Sequence, residues 1–203
     1  MEVNRGYRYF FEGKDSMDVK QAIHTRRAYR SLESVEITER LVRELVESAQ
    51  LAPSCFNNQP WRFVFAYDPD VLKELHGAMS KGNAWTQTAS MIIAVFSRKG
   101  LDCFIKGREY YLFDTGMATA FIILRATELG LVAHPIAGYR EDAVKEILGV
   151  PEEMTLITLL IVGQHAEIIG PLLSDKQAEW EKNRPERLPP EEFVHVNSFT
   201  PDR

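Results

Sequence analysis

The segment Arg26-Arg27-Ala28-Tyr29-Arg30 places three guanidinium groups within five positions. Guanidinium groups keep their charge and donate paired hydrogen bonds, so at this density they suit a phosphate or the electron-rich edge of a ring. Alone, such a run is more often a solvated, ion-paired face. Further along, Ala52-Pro53-Ser54-Cys55-Phe56-Asn57-Asn58-Gln59-Pro60-Trp61 gathers hydroxyl, thiol and amide groups between a helix and a strand. It reads as a polar connector with Asn turns, or as a set of groups that hydrogen-bond a heteroaromatic ring. Cys55 has no histidine or cation beside it in sequence to lower its pKa, so it reads as a small packing residue. With Cys103 it forms no C-x-x-C and no metal-ligand spacing, as expected in a reducing compartment.

Other chemistry is excluded by what is missing. His24, His76, His134, His165 and His195 never fall at i, i+4, so no metal site is expected. There is no G-x-G-x-x-G, no G-x-x-x-x-G-K-[ST] and no G-x-S-x-G. These absences favour chemistry carried by a borrowed cofactor, with no dedicated catalytic side chain.

The 203 residues hold 24 Lys plus Arg against 29 Asp plus Glu, a net charge of −5, which speaks against a nucleic-acid binder. Apolar residues make up 45%, an ordinary globular proportion, and no apolar run is long enough to cross a bilayer. The opening MEVNRGYRYFFEGKDSM lacks the form of a secretory signal, so a cytoplasmic location is expected.

Helix and strand signals alternate behind the polar stretches. Ser16 is placed to cap a helix with Val19, Ala22 and Ile23 on one face, running into the arginine stretch. Thr38 opens a second helix, with Leu41, Val42, Leu45, Val46 and Ala49 at helical spacing. Residues 62–67 read as a strand, Asp68-Pro69 as the start of a short helix, and 90–97 as a strand covered on both faces. Residues 97–107 read as a loop. One long helix is expected over 108–129, stopped by Gly130, with its middle apolar nearly all round. In a chain this short, a second subunit is a natural cover for it. A strand over 131–136, a helix over 140–148 and a strand over 155–162 follow. Residues 174–203 are rich in proline and charge, and read as an arm laid over something else.

Five separated motifs in this order resemble the nitroreductase family of FMN-dependent oxidoreductases. They are the two polar stretches; Asp114-Thr115-Gly116-Met117-Ala118 with the helix exit Leu129-Gly130-Leu131; Pro135-Ile136-Ala137-Gly138-Tyr139 with the Leu-Gly-Val-Pro turn at 148–151; and Arg187-Leu188-Pro189 with Glu192-Phe193-Val194. The resemblance implies an α+β fold in which helices flank a central, mostly antiparallel sheet. It implies one domain over 1–203, with 174–203 as an extension exchanged with the partner subunit. It further implies a homodimer with FMN at the subunit interface.

Carried over residue by residue, Arg26 and Arg187 would hold the FMN phosphate, and Arg30 would lie near the pyrimidine edge of the flavin. Ser54, Cys55 and Asn57 would reach the flavin of the other subunit. The backbone of Ala137 and Gly138 would face the flavin N5 region. Arg27, Ala28, Pro53, Pro135 and Ile136 complete the cofactor-binding set. Ala28 stands where many members have Ser, and Ala137 where larger members have Glu. Asn83 is the nearest match to a central Asn of the family, and equally fits a polar turn; Arg184 offers a second phosphate contact, although a surface position is the preferred reading. Phe104, Tyr110, Tyr111 and Phe113 could line a pocket, although packing is the preferred reading of Tyr110 and Phe113.

The implied activity passes hydride from NADH or NADPH through the flavin to an electron-poor acceptor such as a nitroaromatic or quinone. A reductive dehalogenase of the same fold and a non-catalytic FMN-binding protein are the alternatives. Nucleic-acid and membrane partners are not expected.

Overall fold

The most apolar stretches of the chain form the middle of a five-stranded sheet. The computed structural model describes residues 17–200. Its elements are α1 (Val19–Thr25), β1 (Leu32–Glu33), α2 (Glu39–Gln50), β2 (Arg62–Ala66), α3 (Pro69–Ala78), β3 (Met91–Ser97), β4 (Phe104–Ile105), β5 (Arg108–Glu109), α4 (Tyr110–Glu128), β6 (Leu131–Ile136), α5 (Glu141–Leu148), β7 (Thr155–His165) and α6 (Asp175–Lys182). All strand pairs are antiparallel. β7 pairs with β3 from Thr155 to Val162, with β6 from Leu159 to Gln164, and with the two residues of β1 at its end. β2 pairs with the outer side of β3.

Successive side chains of a strand point to opposite faces, so a continuous apolar run must be covered twice. Ile92, Ala94 and Phe96 of β3, with Leu159 and Ile161 of β7, pack beneath α3, α5 and Trp85. Met91, Ile93 and Val95, with Leu160 and Val162, pack beneath α2 and α4. Thr38 caps α2 and Asp68 caps α3, as their side-chain types predict. Gly130 (φ 79°) and Gly149 (φ 63°) end α4 and α5 in the left-handed region that favours glycine.

Three expectations change. The first helix is capped by Asp18, through a capping box with Gln21, and Ser16 lies outside the described residues. α1 stops at Thr25, so the arginine stretch is extended chain, and of the three apolar residues only Ala22 is buried. The 97–107 stretch contains a short helical turn at Lys99–Leu101 and most of the β4–β5 hairpin. That hairpin turns on Lys106 and Gly107, both at positive φ, which a tight primed turn requires.

The start of the C-terminal extension makes contacts within its own chain. Residues 174–187 pack on their own chain: Ser174 caps α6 through a capping box with Gln177, and Glu181 of α6 is buried. Beyond Arg187 the side chains of Leu188, Phe193, Val194, Val196 and Phe199 are exposed. No helix among the described residues is long and apolar enough to cross a membrane.

Candidate functional site

The arginine stretch leaves α1 as extended backbone and is gripped from several sides. The Tyr29 ring stacks on His165 with centroids 3.6 Å apart, and the Arg27 guanidinium lies 4.5 Å from the Tyr29 ring centre. Arg27 Nη2 also donates to the carbonyl of Trp180 at 2.7 Å, so its side chain is held against α6. The Tyr29 carbonyl meets His134 Nδ1 at 3.0 Å. The backbone N–H groups of Arg30 and Ser31 donate to the Glu181 carboxylate at 2.8 and 3.1 Å. A carboxylate accepting two backbone N–H groups pins the loop by charge-assisted bonds, so α6 sets where the arginines point.

Arg26, Arg27, Ala28, Arg30, Trp180, Arg184, Pro185 and Arg187 line one cavity of about 220 Å³. Arg184 donates to the carbonyls of His24 and Arg26, at 2.6 and 2.9 Å. It therefore lines the site while remaining exposed at the surface, as expected. Burial lowers the pKa of Arg26, and the positive charges of Arg184 and Arg187 lower it further. Among the described residues no carboxylate forms a salt bridge with Arg26, Arg184 or Arg187. Like charges gathered without a counterion favour an anion, and a dianionic phosphate offsets both their repulsion and their desolvation. The Arg30 guanidinium sits over two indoles, 5.4 Å from the centre of Trp180 and 6.0 Å from that of Trp85.

Trp85 links this cavity to the second predicted group. Its ring stacks on His134 with centroids 4.9 Å apart, and its Nε1 donates to Asn83 Oδ1 at 3.2 Å. Asn83 Nδ2 in turn donates to the Gly138 carbonyl at 2.9 Å. Asn83 thus braces the Pro135-Ile136-Ala137-Gly138 segment at the end of β6. A Cβ at Gly138 would stand 2.5 Å from Ser80 Oγ and 2.7 Å from Asn83 Nδ2, so only glycine allows this approach. Burial holds His134 neutral, with its pKa lowered to about 4.

The third group, Pro53 to Asn57, does not line the arginine cavity of its own chain. Ser54 Oγ accepts from the Gln59 N–H at 2.9 Å, and the Cys55 N–H donates to Asp114 Oδ2 at 2.6 Å. Phe56, Asn57 and Gln59 all hold positive φ, and the Phe56 side chain is 86% exposed. Left-handed backbone at a bulky exposed residue concentrates at functional sites. The reading of Cys55 as a simple packing residue is corrected: its sulfur is bonded to that of Cys103. Asp102, Cys55 and Cys103 gather their ligating atoms within 4.8 Å, but the two sulfurs are bonded to each other. Trp61 is core, as expected, and Tyr111 is buried. Phe104 and Phe113 are exposed, so Phe113 does not pack within its own chain.

The sequence reasoning thus located the arginines and the Pro135–Gly138 segment but missed Trp180, Glu181, Trp85 and Asp114. A Glu inside a capped amphipathic segment carries no signal that it will be buried. Only the fold shows that two backbone N–H groups wait for it.

Residues 23–164, more than half of the chain, match the family model described as "Nitroreductase family". The chain belongs to the nitroreductase family. It is 30% identical over 145 residues to a protein of Archaeoglobus fulgidus provisionally named an NADH dehydrogenase/NAD(P)H nitroreductase, covering 70% of this chain and 82% of that one. Among solved structures, an oxidoreductase containing FMN superposes with a TM-score of 0.74 at 24% identity, over 98% of this chain and 99% of the other. A provisionally named nitroreductase of Exiguobacterium sibiricum, solved in complex with FMN, gives a TM-score of 0.73 at 22% identity, over 91% and 99%. These likenesses confirm the α+β nitroreductase fold. The family match ends before α6, so Trp180, Glu181, Arg184 and Arg187 lie beyond the stretch that it covers.

Proposed function

We propose that this nitroreductase-family chain is an FMN-dependent oxidoreductase. In this reading it passes reducing equivalents from NADH or NADPH to an electron-poor acceptor such as a nitroaromatic or quinone. The observation that carries the reading is the arginine cavity, in which Arg26, Arg184 and Arg187 converge with no carboxylate counterion among the described residues. The residues fit the cofactor: three guanidinium groups for a phosphate dianion, and Arg30 as a fixed cation for the electron-rich edge of the ring. Bound there, FMN supplies a ring that accepts hydride and passes it on.

The protein's own part is binding and orientation. Arg26 and Arg187 hold the phosphate, and Arg184 braces the Arg26 backbone while adding charge. Arg30 is kept charged and fixed by Trp85, Trp180 and the Glu181 bond to its N–H, which favours negative charge on the adjacent ring. The Ala137–Gly138 backbone, held by Asn83, presents polar groups at the ring's reactive edge.

The same reading makes the protein a homodimer. Ser54, Cys55 and Asn57 lie away from the cavity of their own chain and are proposed to serve that of the partner. Support comes from the open face of α4, where Leu112, Phe113, Gly116, Ala120 and Phe121 are exposed. An adjoining groove of about 350 Å³ is lined by Val19, Leu51, Phe121 and Leu124 among others. Apolar surface of this extent is characteristic of an interface.

The purified protein is expected to carry a yellow chromophore and to bleach anaerobically with NADH or NADPH, then recover on addition of menadione. Arg26→Ala and Arg187→Ala are expected to lower FMN retention, and Arg98→Ala, at an exposed pair with Glu153, to leave it unchanged. Colourless protein that FMN cannot reconstitute refutes the reading.

A further inference from the structure

Neither the arginine cavity nor the chemistry proposed for it uses the bond between the cysteines. Cys55 opens the short turn before β2, and Cys103 immediately precedes the β4–β5 hairpin, 48 residues later. Their Cα atoms are 6.1 Å apart, a separation that a disulfide spans without moving backbone. Both residues are only partly buried, so a small thiol can reach them.

The surroundings are built for more than a staple. Asn58 Nδ2 donates to Cys103 Sγ at 3.4 Å and to Asp102 Oδ1 at 3.2 Å. A carboxylate oxygen of Asp102 lies within 4.8 Å of both sulfurs. Asp102 Oδ2 is buried, and no donor among the described residues reaches it. Asp114 faces Asp102 at hydrogen-bonding range while accepting the Cys55 N–H. Burial raises the pKa of Asp114, and the adjacent Asp102 raises it further, against the lowering effect of the Cys55 N–H. Two carboxyl groups this close ionise together less readily than apart, which favours a proton on Asp114.

We propose that Cys55–Cys103 is a reversible thiol–disulfide site whose substrates are small dithiols, with Asn58, held by Asp102, receiving the leaving sulfur of Cys103. A thiolate of the dithiol attacks Cys55 Sγ. A bond forms between those two sulfurs, the Sγ–Sγ bond breaks, and its electron pair leaves on Cys103 Sγ. That thiolate accepts the Asn58 N–H and takes the proton held by Asp114. The second thiol of the reagent returns a proton to Asp114, and its thiolate attacks its own sulfur in the mixed disulfide and releases Cys55, which takes a proton from water. Two electrons have passed to the protein, and the reagent leaves as a cyclic disulfide. The closed bond ties the Ser54–Asn57 turn to the β4–β5 hairpin, and the open form releases that tie.

The test counts thiols in the native full-length chain by iodoacetamide labelling and mass spectrometry. After diamide no adduct is expected, after dithiothreitol two, and after a second diamide treatment none. Asp102→Asn is expected to slow reduction at least about tenfold while leaving the oxidised form disulfide-bonded. Tryptic cleavage at Lys106 or Arg108 is expected to quicken on reduction of the wild type, and to be equally quick with or without reductant in Cys55→Ser. Free thiols in the diamide-treated chain, or a bond that dithiothreitol opens only in denaturant, overturn the proposal. Reduction of Asp102→Asn at the wild-type rate overturns the role given to Asp102. None of these readouts involves a flavin, so the result is independent of the function proposed above.

Discussion

Glu181 is a buried carboxylate whose close partners are two backbone N–H groups, with His165 Nε2 no nearer than 3.9 Å. Glu181→Ala leaves the Arg30 and Ser31 N–H groups unpaired, at a cost of about 1–3 kcal/mol for each buried group. The expected outcome is a lower melting temperature and weaker FMN retention, with Glu181→Gln intermediate because it keeps one acceptor. His134 supplies a pH dependence. Its ordinary pKa of 6.5 is lowered to about 4 by burial, so below 6.5 the unfolded chain binds a proton that the folded chain refuses. The neutral imidazole's stability is therefore present in full above about pH 6.5 and lost as the pH falls through about 4. The loss is on the order of 3 kcal/mol. Urea midpoints at about pH 7 and about pH 4.5 measure it, and His134→Gln should flatten the difference.

At the scale of elements, the site depends on segments meeting that are far apart in the chain. The segment Lys81–Thr88 presents Asn83 to the end of β6 and Trp85 to both His134 and Arg30. Gly138 is the point of closest approach. Gly138→Ala drives a methyl group into Ser80 Oγ and Asn83 Nδ2, so Asn83 must give up its bond to the Gly138 carbonyl. A destabilisation of about 1–3 kcal/mol is expected, read as a fall in the urea midpoint and a change in the emission of the otherwise buried Trp85. α6 plays the matching part for the arginines, joining Arg27, Arg30 and Ser31 to a helix some 150 positions away in sequence.

For the whole molecule, the sheet is covered on both faces within one chain, yet the outer faces of α1 and α4 remain apolar and open. Val19 is 71% exposed, Leu51 76% and Phe113 64%. On the homodimer reading, Leu51→Glu combined with Phe121→Glu places charges in the 350 Å³ groove and should yield a monomer in sedimentation velocity. On the same reading, in which Ser54 and Asn57 of the partner subunit complete the site, the variant should also lose FMN. A monomeric wild-type chain, or a dimeric double variant, argues that the open face serves another purpose.

Period and capping residues were enough to place α2, α3, α5, β2, β3, β6 and β7, because local backbone preference and burial pattern agree there. Family resemblance, carried by the arginines and by Pro135–Gly138, was enough for the fold. Four things were decided only by tertiary structure. The arginine stretch is extended because α6 supplies the acceptors for its N–H groups. Glu181 and Arg184 find their hydrogen-bond partners in the 24–31 stretch of the chain. Arg184 joins the cavity, and Cys55 meets Cys103 across 48 residues. Each of these is a pairing between distant segments whose residues, taken locally, are ordinary surface types. Charge and hydrogen-bond demand fix such pairings once the core has brought the segments together, and no local pattern in the chain encodes them.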